Sequence, residues 1–193
     1  MGLTIHYTAQ LKSVESLPIL VSEVADLCKS MGWNYTLYPQ DENEDESSIR
    51  GISVHLNPDG EPLWLTFSPA GRLTTPFSWQ MRNRYPEFSF KAFTKTQFAG
   101  PHTHMILVHL LKYLSGKYFA SVEVSDEGGY WETEDVSVLR DRFETYIDVF
   151  TGVFDVLETL PAVPDESVVH LAKRIGRALE GMTTRYADLR KET

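Results

Sequence analysis

The 193-residue sequence predicts an α+β fold: one antiparallel, mostly meander sheet with helices packed on one face, plus a C-terminal helical hairpin. Three observations carry this prediction. Apolar and polar residues alternate with a period of two in several short stretches, as in half-buried strands. Brief turn-forming links such as Pro58-Asp59-Gly60 and Pro69-Ala70-Gly71 separate those stretches, and links this short join antiparallel neighbours. From Val136 onward the apolar spacing becomes three and four, the period of amphipathic helices.

The first strand is expected over Leu3 to Leu11, where Leu3, Ile5, Tyr7, Ala9 and Leu11 alternate with Thr4, His6, Thr8 and Gln10. Ser16 precedes a helix running to about Met31, with Pro18 in its first turn, where a missing N–H costs nothing. Leu17, Leu20, Val21, Val24, Leu27 and Cys28 form its apolar stripe, and Gly32 is the expected stop. Trp33 to Tyr38 reads as a strand. The acidic run that follows holds five carboxylates between Asp41 and Glu46; like charges repel and stay hydrated, so it is expected to be a solvated connection.

Three more strands are expected near Ile49–Asn57, Leu63–Ser68 and Arg72–Trp79. An irregular stretch with Arg82 and Arg84 leads to a strand over Phe88–Phe98. A helix opens at Gly100-Pro101 and ends near Tyr118, its apolar face made by Ile106, Leu107, Leu110, Leu111, Leu114 and Tyr118. Ser121–Asp126 returns as a short strand that ends on Gly128-Gly129, a turn in which one glycine is expected at positive φ. Two helices then follow around Pro161 and Pro164. One carries Val136, Leu139, Phe143, Tyr146, Phe150, Val153 and Leu157; the other carries Val168, Leu171, Ile175, Ala178, Met182 and Tyr186. The expected organisation is a sheet domain over 1–132 and a hairpin over 133–193 packed on the same domain. A homodimer formed through the hairpin's wide aromatic face is the alternative.

Composition narrows the function classes. A hydrophobic content of 42% suits a folded globular chain. A net charge of -9 argues against nucleic acid and against anionic membrane surfaces, which need clustered Lys and Arg. No apolar run approaches the roughly 20 residues of a membrane span, and the N-terminus lacks a charged segment followed by an apolar one. The single cysteine, Cys28, allows no intramolecular disulfide and reads as a buried thiol. The expected location is cytoplasmic, with no cofactor.

Candidate chemistry gathers at two breaks in the chain. His102 and His104 open the central helix, and His109 follows. Asp126, Glu127 and Glu132 flank the Gly128-Gly129 turn. If the strands ending at Phe98 and Asp126 are neighbours, these groups converge; imidazoles with carboxylates can hold zinc or manganese. His102, His104, Glu127 and Glu132 are therefore the candidate metal ligands, and a metal-assisted hydrolase is the alternative function. Lys95, Gln97, His102, His104 and Trp131 are the candidate ligand-binding residues, suited to a small anionic ligand or a protein partner. A further candidate surface is the outer side of the sheet. His6 and Thr8 in the first strand, Asn34, Thr36, Trp64 and Thr66 in the strands that follow, and Lys91, Phe93, Lys95 and Gln97 in a later one form a polar but aromatic face if their sides coincide. The plainer reading of that face is a solvated surface or one covered by the hairpin. No Walker loop, nucleophile elbow or Rossmann glycine pattern is present.

At KTQFAG and DEGGYWET the chain resembles a group of uncharacterised bacterial proteins of about this length. The resemblance spans the N-terminal and central two-thirds. It implies a bacterial cytoplasmic protein and carries no activity, cofactor or catalytic residue. The reading that results is a small binding or interaction module.

Overall fold

A computed structural model describes residues 3–39, 48–58, 60–161, 163 and 165–177. The acidic run from Asp41 to Glu46, Asp59, Pro164, Ala178, Met182 and Tyr186 lie outside the described residues. The chain divides into two compact units, Met1–Phe143 and Glu144–Thr193. This division falls inside a helix rather than ahead of it.

The fold is α+β with antiparallel strands. In order, the elements are β1 (Thr4–Leu11), α1 (Leu17–Met31), β2 (Asn34–Tyr38), β3 (Arg50–His55), β4 (Leu63–Phe67), β5 (Leu73–Thr74), α2 (Pro76–Gln80), β6 (Ala92–Lys95), α3 (Gly100–Tyr118), β7 (Phe119–Asp126), α4 (Tyr130–Thr133) and α5 (Val136–Thr159). Where one sheet was expected, the strands form two. One is three-stranded in the order β6-β1-β7, the other four-stranded in the order β2-β3-β4-β5. The reason lies in β1. β7 pairs with it from Ile5 to Leu11, and β6 occupies Thr4 to Tyr7 on its other edge. Only Thr8 to Leu11 are left on that edge to meet the second sheet, and Gln10 makes an isolated bridge to Arg72.

Side chains join the two sheets. The Tyr7 hydroxyl accepts a 2.8 Å bond from the Trp64 backbone N–H in β4 and approaches Thr94 Oγ1 at 3.4 Å. Burial pushes the Tyr7 phenol well above its ordinary pKa, so the ring stays neutral. Phe67 of β4 packs on Phe119 of β7 at 5.9 Å between ring centres. The Gln10 amide donates to Ala70 O at 2.9 Å and Leu11 N–H to Gly71 O at 2.9 Å, which clips the Pro69–Gly71 turn onto β1.

The alternation read in β1 holds except at Thr4: Leu3, Ile5, Tyr7 and Leu11 are buried and His6 is exposed, but Thr4, read on the polar side, is buried too. In β3 and β4 both faces are buried, because Ser53 and Thr66 are enclosed along with Ile52, Val54, Leu63, Leu65 and Phe67. Leu37, placed by pattern on the apolar side of β2, is 46% exposed; β2 is an edge strand, covered less than the others. α1 lies against β3 and buries Leu20, Val24 and Cys28. Its end is closed by Gly32 at φ 70°, and burial raises the Cys28 thiol pKa. Glu23 of α1 takes hydrogen bonds from Lys117 Nζ (2.8 Å to each oxygen), Tyr113 and Tyr118 of the α3 helix, which pull its carboxyl down to about 2.

Two expected strands are shorter than read. After Leu73-Thr74 the chain turns into α2, because the Thr75 hydroxyl accepts from Ser78 N–H at 3.1 Å as an N-cap and Pro76 fills the first helical position. The Phe88–Phe98 strand reduces to β6, since Pro86–Phe88 winds as a 3₁₀ turn.

The second unit is helical. On α5, Tyr146 stacks on Phe150 at 5.8 Å and Phe150 meets Phe154 edge-on at 4.9 Å, an aromatic ladder at helical spacing. Residues 168–177 are helical. The intervening turn is tied by Arg174, which donates to Glu166 at 2.8 Å and to Pro161 O at 2.8 Å.

Replacing Tyr7 by Phe removes the hydroxyl and leaves the buried Trp64 N–H without its acceptor. The expected cost is about 1–2 kcal/mol, measured as a lowered denaturation midpoint at an unchanged denaturant slope. A midpoint equal to wild type would show that the hydroxyl does not join the sheets.

Candidate functional site

The two breaks do come together, around His104. This residue shares the apolar side of α3 with Leu107, Val108 and Leu111, three, four and seven positions on, and is fully buried. That spacing is visible in the sequence and marks His104 as a core histidine. Its Nδ1 shares a 2.8 Å hydrogen bond with Thr96 Oγ1, which in turn donates to Leu3 O at 3.1 Å. Its Nε2 lies 3.0 Å from Asp126 Oδ1 and 3.1 Å from Oδ2, and neither side chain is solvent-exposed. Asp126 also accepts from Gly128 N–H at 2.7 Å and Trp131 N–H at 2.9 Å. Burial by itself would raise the Asp126 carboxyl, but the His104 contact and the two backbone donors hold it below the ordinary aspartate range.

The glycines of this turn have separate tasks. Gly129 sits at φ 71°, where a side chain is strained. Gly128 is needed for space: a Cβ there would stand 2.7 Å from His104 Cε1 and 2.8 Å from Leu139 Cδ1. Phe143 closes the other side of the imidazole, edge-on at 6.0 Å.

The remaining candidates do not join this cluster. His102 and Glu132 are exposed. Glu127 accepts from Thr4 N–H at 2.8 Å and so serves the start of β1. Lys95 pairs with Glu61 at 3.9 Å. Trp131 carries Lys112 Nζ over its ring at 5.3 Å. Gln97 Oε1 is enclosed without a hydrogen-bond partner among the described residues. His109 bonds to the Tyr130 hydroxyl at 3.2 Å. Among the described residues no three His, Cys, Asp or Glu side chains are gathered as a metal ion would require. His104, with both ring nitrogens engaged and no solvent access, is built to hold α3, β1 and β7 together rather than to meet a substrate.

A second site lies on the outer face of the three-stranded sheet. His6 and Phe93 are register partners with rings 5.9 Å apart, so these two polar rows share one side, whereas Asn34, Thr36, Trp64 and Thr66, read as part of the same face, belong to the other sheet, where Thr66 is buried. Farther along β1, Thr8 and Gln10 floor a cleft of about 600 Å³. Ser121 and Glu123 of β7 form one wall; Arg72, Phe90 and Lys91 form the other. The Arg72 guanidinium lies 3.6 Å from the Phe90 ring centre, Trp79 meets Phe90 edge-on at 6.5 Å, and Arg82 lies 4.1 Å over Trp79. Arg72, Phe90 and Glu123 were not singled out in the sequence. Their signal is positional, since each belongs to a segment whose place beside β1 is set by strand pairing.

A third concavity, of about 490 Å³, runs between α1 and α3 over Leu27, Met31, Trp33, Ile106 and Leu110 and is lined mainly by apolar side chains. No described helix is long and apolar enough to cross a membrane.

Two predictions follow from the histidine cluster. Gly128→Ala should cost about 1–3 kcal/mol through overpacking, and the cost should shrink in a His104→Ala background, where the contact with the imidazole is gone and only that with Leu139 remains. Additive losses in that double-mutant cycle would show that the Cβ meets something else. Because the folded Asp126 pKa is depressed, its stabilisation is complete above the unfolded value of about 3.9 and is lost as pH falls through the lower folded value. Asp126→Asn should therefore lower the melting temperature at pH 7 and flatten part of its fall below about pH 4. An acid limb as steep as wild type would mean that other carboxylates set it.

Comparison with protein families, with curated proteins and with solved structures finds no match to this chain.

Proposed function

We propose that the protein is a binding module whose ligand is a small, negatively charged molecule held in the cleft on the outer face of the β6-β1-β7 sheet. The observation that supports this reading is the pairing state of two cations there. Arg72 and Lys91 both line the cleft, and neither forms an ion pair among the described residues. In a chain of net charge -9, two unpaired cations facing one concavity offer an anionic group local partners, beside the carboxylates Glu87 and Glu123 that line the same space.

The cleft has the size of a small-molecule site, roughly 300–1,000 Å³. Phe90 under Arg72 keeps the guanidinium planar against its ring and leaves its N–H edge to meet a carboxylate or phosphate. β1 supplies a rigid floor, since Thr8 and Gln10 are paired with β7 along one edge and Gln10 bridges Arg72 on the other. The metal-assisted hydrolase reading draws no comparable support, because His104 is enclosed and the other proposed ligands point to separate tasks.

The experiment is a calorimetric titration with small carboxylates and inorganic phosphate. Saturable binding is expected, weakened at least tenfold in an Arg72→Gln/Lys91→Gln double variant that melts like wild type, and weakened by salt. Absence of saturable binding by any of these anions, or equal affinity in the double variant, would overturn the reading.

A further inference from the structure

The cations are only half of the cleft's charge. Glu123 stands on the β7 wall and Glu87 on the rim, so two carboxylates line the same space as Arg72 and Lys91. Opposite charges in one concavity ordinarily find each other, yet none of these four side chains makes an ion pair among the described residues. Strand register explains why. Glu123 is the partner of Thr8 across the β1–β7 edge. Lys91 immediately precedes Ala92, the partner of Tyr7 across the other edge, and so falls beside Thr8. Thr8 therefore separates a carboxylate from an ammonium by two strand spacings, roughly 10 Å between backbones. Arg72 is held on the Lys91 side by its bridge to Gln10 and by the Phe90 ring. The result is a cleft with Arg72 and Lys91 along one wall and Glu123 on the other.

A ligand with negative charge alone would meet Glu123 and Glu87 as like charges, and that repulsion weakens its binding relative to a ligand that also carries a cation. We infer that the cleft takes a zwitterion, a free amino acid or short peptide, whose carboxylate lies against Arg72 and Lys91 and whose ammonium lies against Glu123. Phe90 offers its side chain an apolar surface. This rests on the cleft being the binding site proposed above, and adds that a cationic group on the ligand is required.

The test uses the whole chain and matched compounds: L-phenylalanine, 3-phenylpropionate, which lacks the amine, and 2-phenylethylamine, which lacks the carboxylate, together with the other common amino acids and the dipeptide glycylphenylalanine. At least one amino acid or the dipeptide should bind at least tenfold more tightly than either truncated analogue. For that zwitterion, Glu123→Gln should lower affinity at least tenfold without lowering the affinity for 3-phenylpropionate. Glu123 is exposed and unpaired among the described residues, so its variant is expected to fold normally, which a matching melting temperature checks. If the carboxylates bind as well as the zwitterions, or Glu123→Gln changes nothing, the zwitterion inference falls while the anion site stands. If none of the amino acids, the dipeptide or the carboxylates binds, both fall.

Discussion

The hydroxyl of Tyr7 is where the two sheets of this protein become one body. It stands on the buried side of β1, the central strand of one sheet, and takes the backbone N–H of Trp64 in the other. Without a side chain of that length, β1 and β4 would be joined only by apolar contact, which is strong but not directional. The hydrogen bond, with the Gln10–Arg72 bridge and the Leu11–Gly71 bond, sets how the two sheets meet. On the other side of β1, the same arrangement sets the Pro69–Gly71 turn against Gln10 and brings Arg72 beside the cleft. The inner and outer faces of one strand thus do different work: one organises the core, the other offers a surface.

The His104–Asp126 pair shows how chemically suggestive residues can serve structure. A histidine beside a carboxylate is a familiar catalytic arrangement, but catalysis needs a face open to a reacting atom. Here the imidazole is closed in by Phe143, Gly128 and its two hydrogen-bond partners. Every polar atom of the cluster is satisfied: Asp126 takes three donors, and Thr96 passes the network on to the backbone of β1. Such a network specifies one arrangement of four segments, because any slip in register leaves a buried charge without its donors.

The cleft and the groove between α1 and α3 contrast in what they can select. The groove is floored by apolar side chains, and apolar contact discriminates weakly between partners of similar shape. The cleft carries charges of both signs around a strand paired in fixed register, and unpaired charge discriminates strongly. That difference is why the cleft, rather than the larger run of apolar surface, is the place where this chain can be specific.

Local pattern was enough for much of the architecture. The alternation in β1, the stripe and Gly32 stop of α1, the position of α3 and the tight glycine turn after β7 depend on residues close in sequence, and each was legible there. Even the polar and aromatic face shared by His6 and Phe93 follows from a period of two. Thr75 and Pro76 carry a helix-start pattern in the sequence, but the apolar residues after them also fit a strand, and the structure places α2 there. What only the tertiary structure decided is which edge of β1 each partner occupies. Sequence carries side-chain periodicity but not the order in which strands meet, and that order is a matter of long-range pairing. It split the expected single sheet in two, placed Glu123 and Lys91 on opposite sides of Thr8, and enclosed a histidine that the sequence had offered as a ligand.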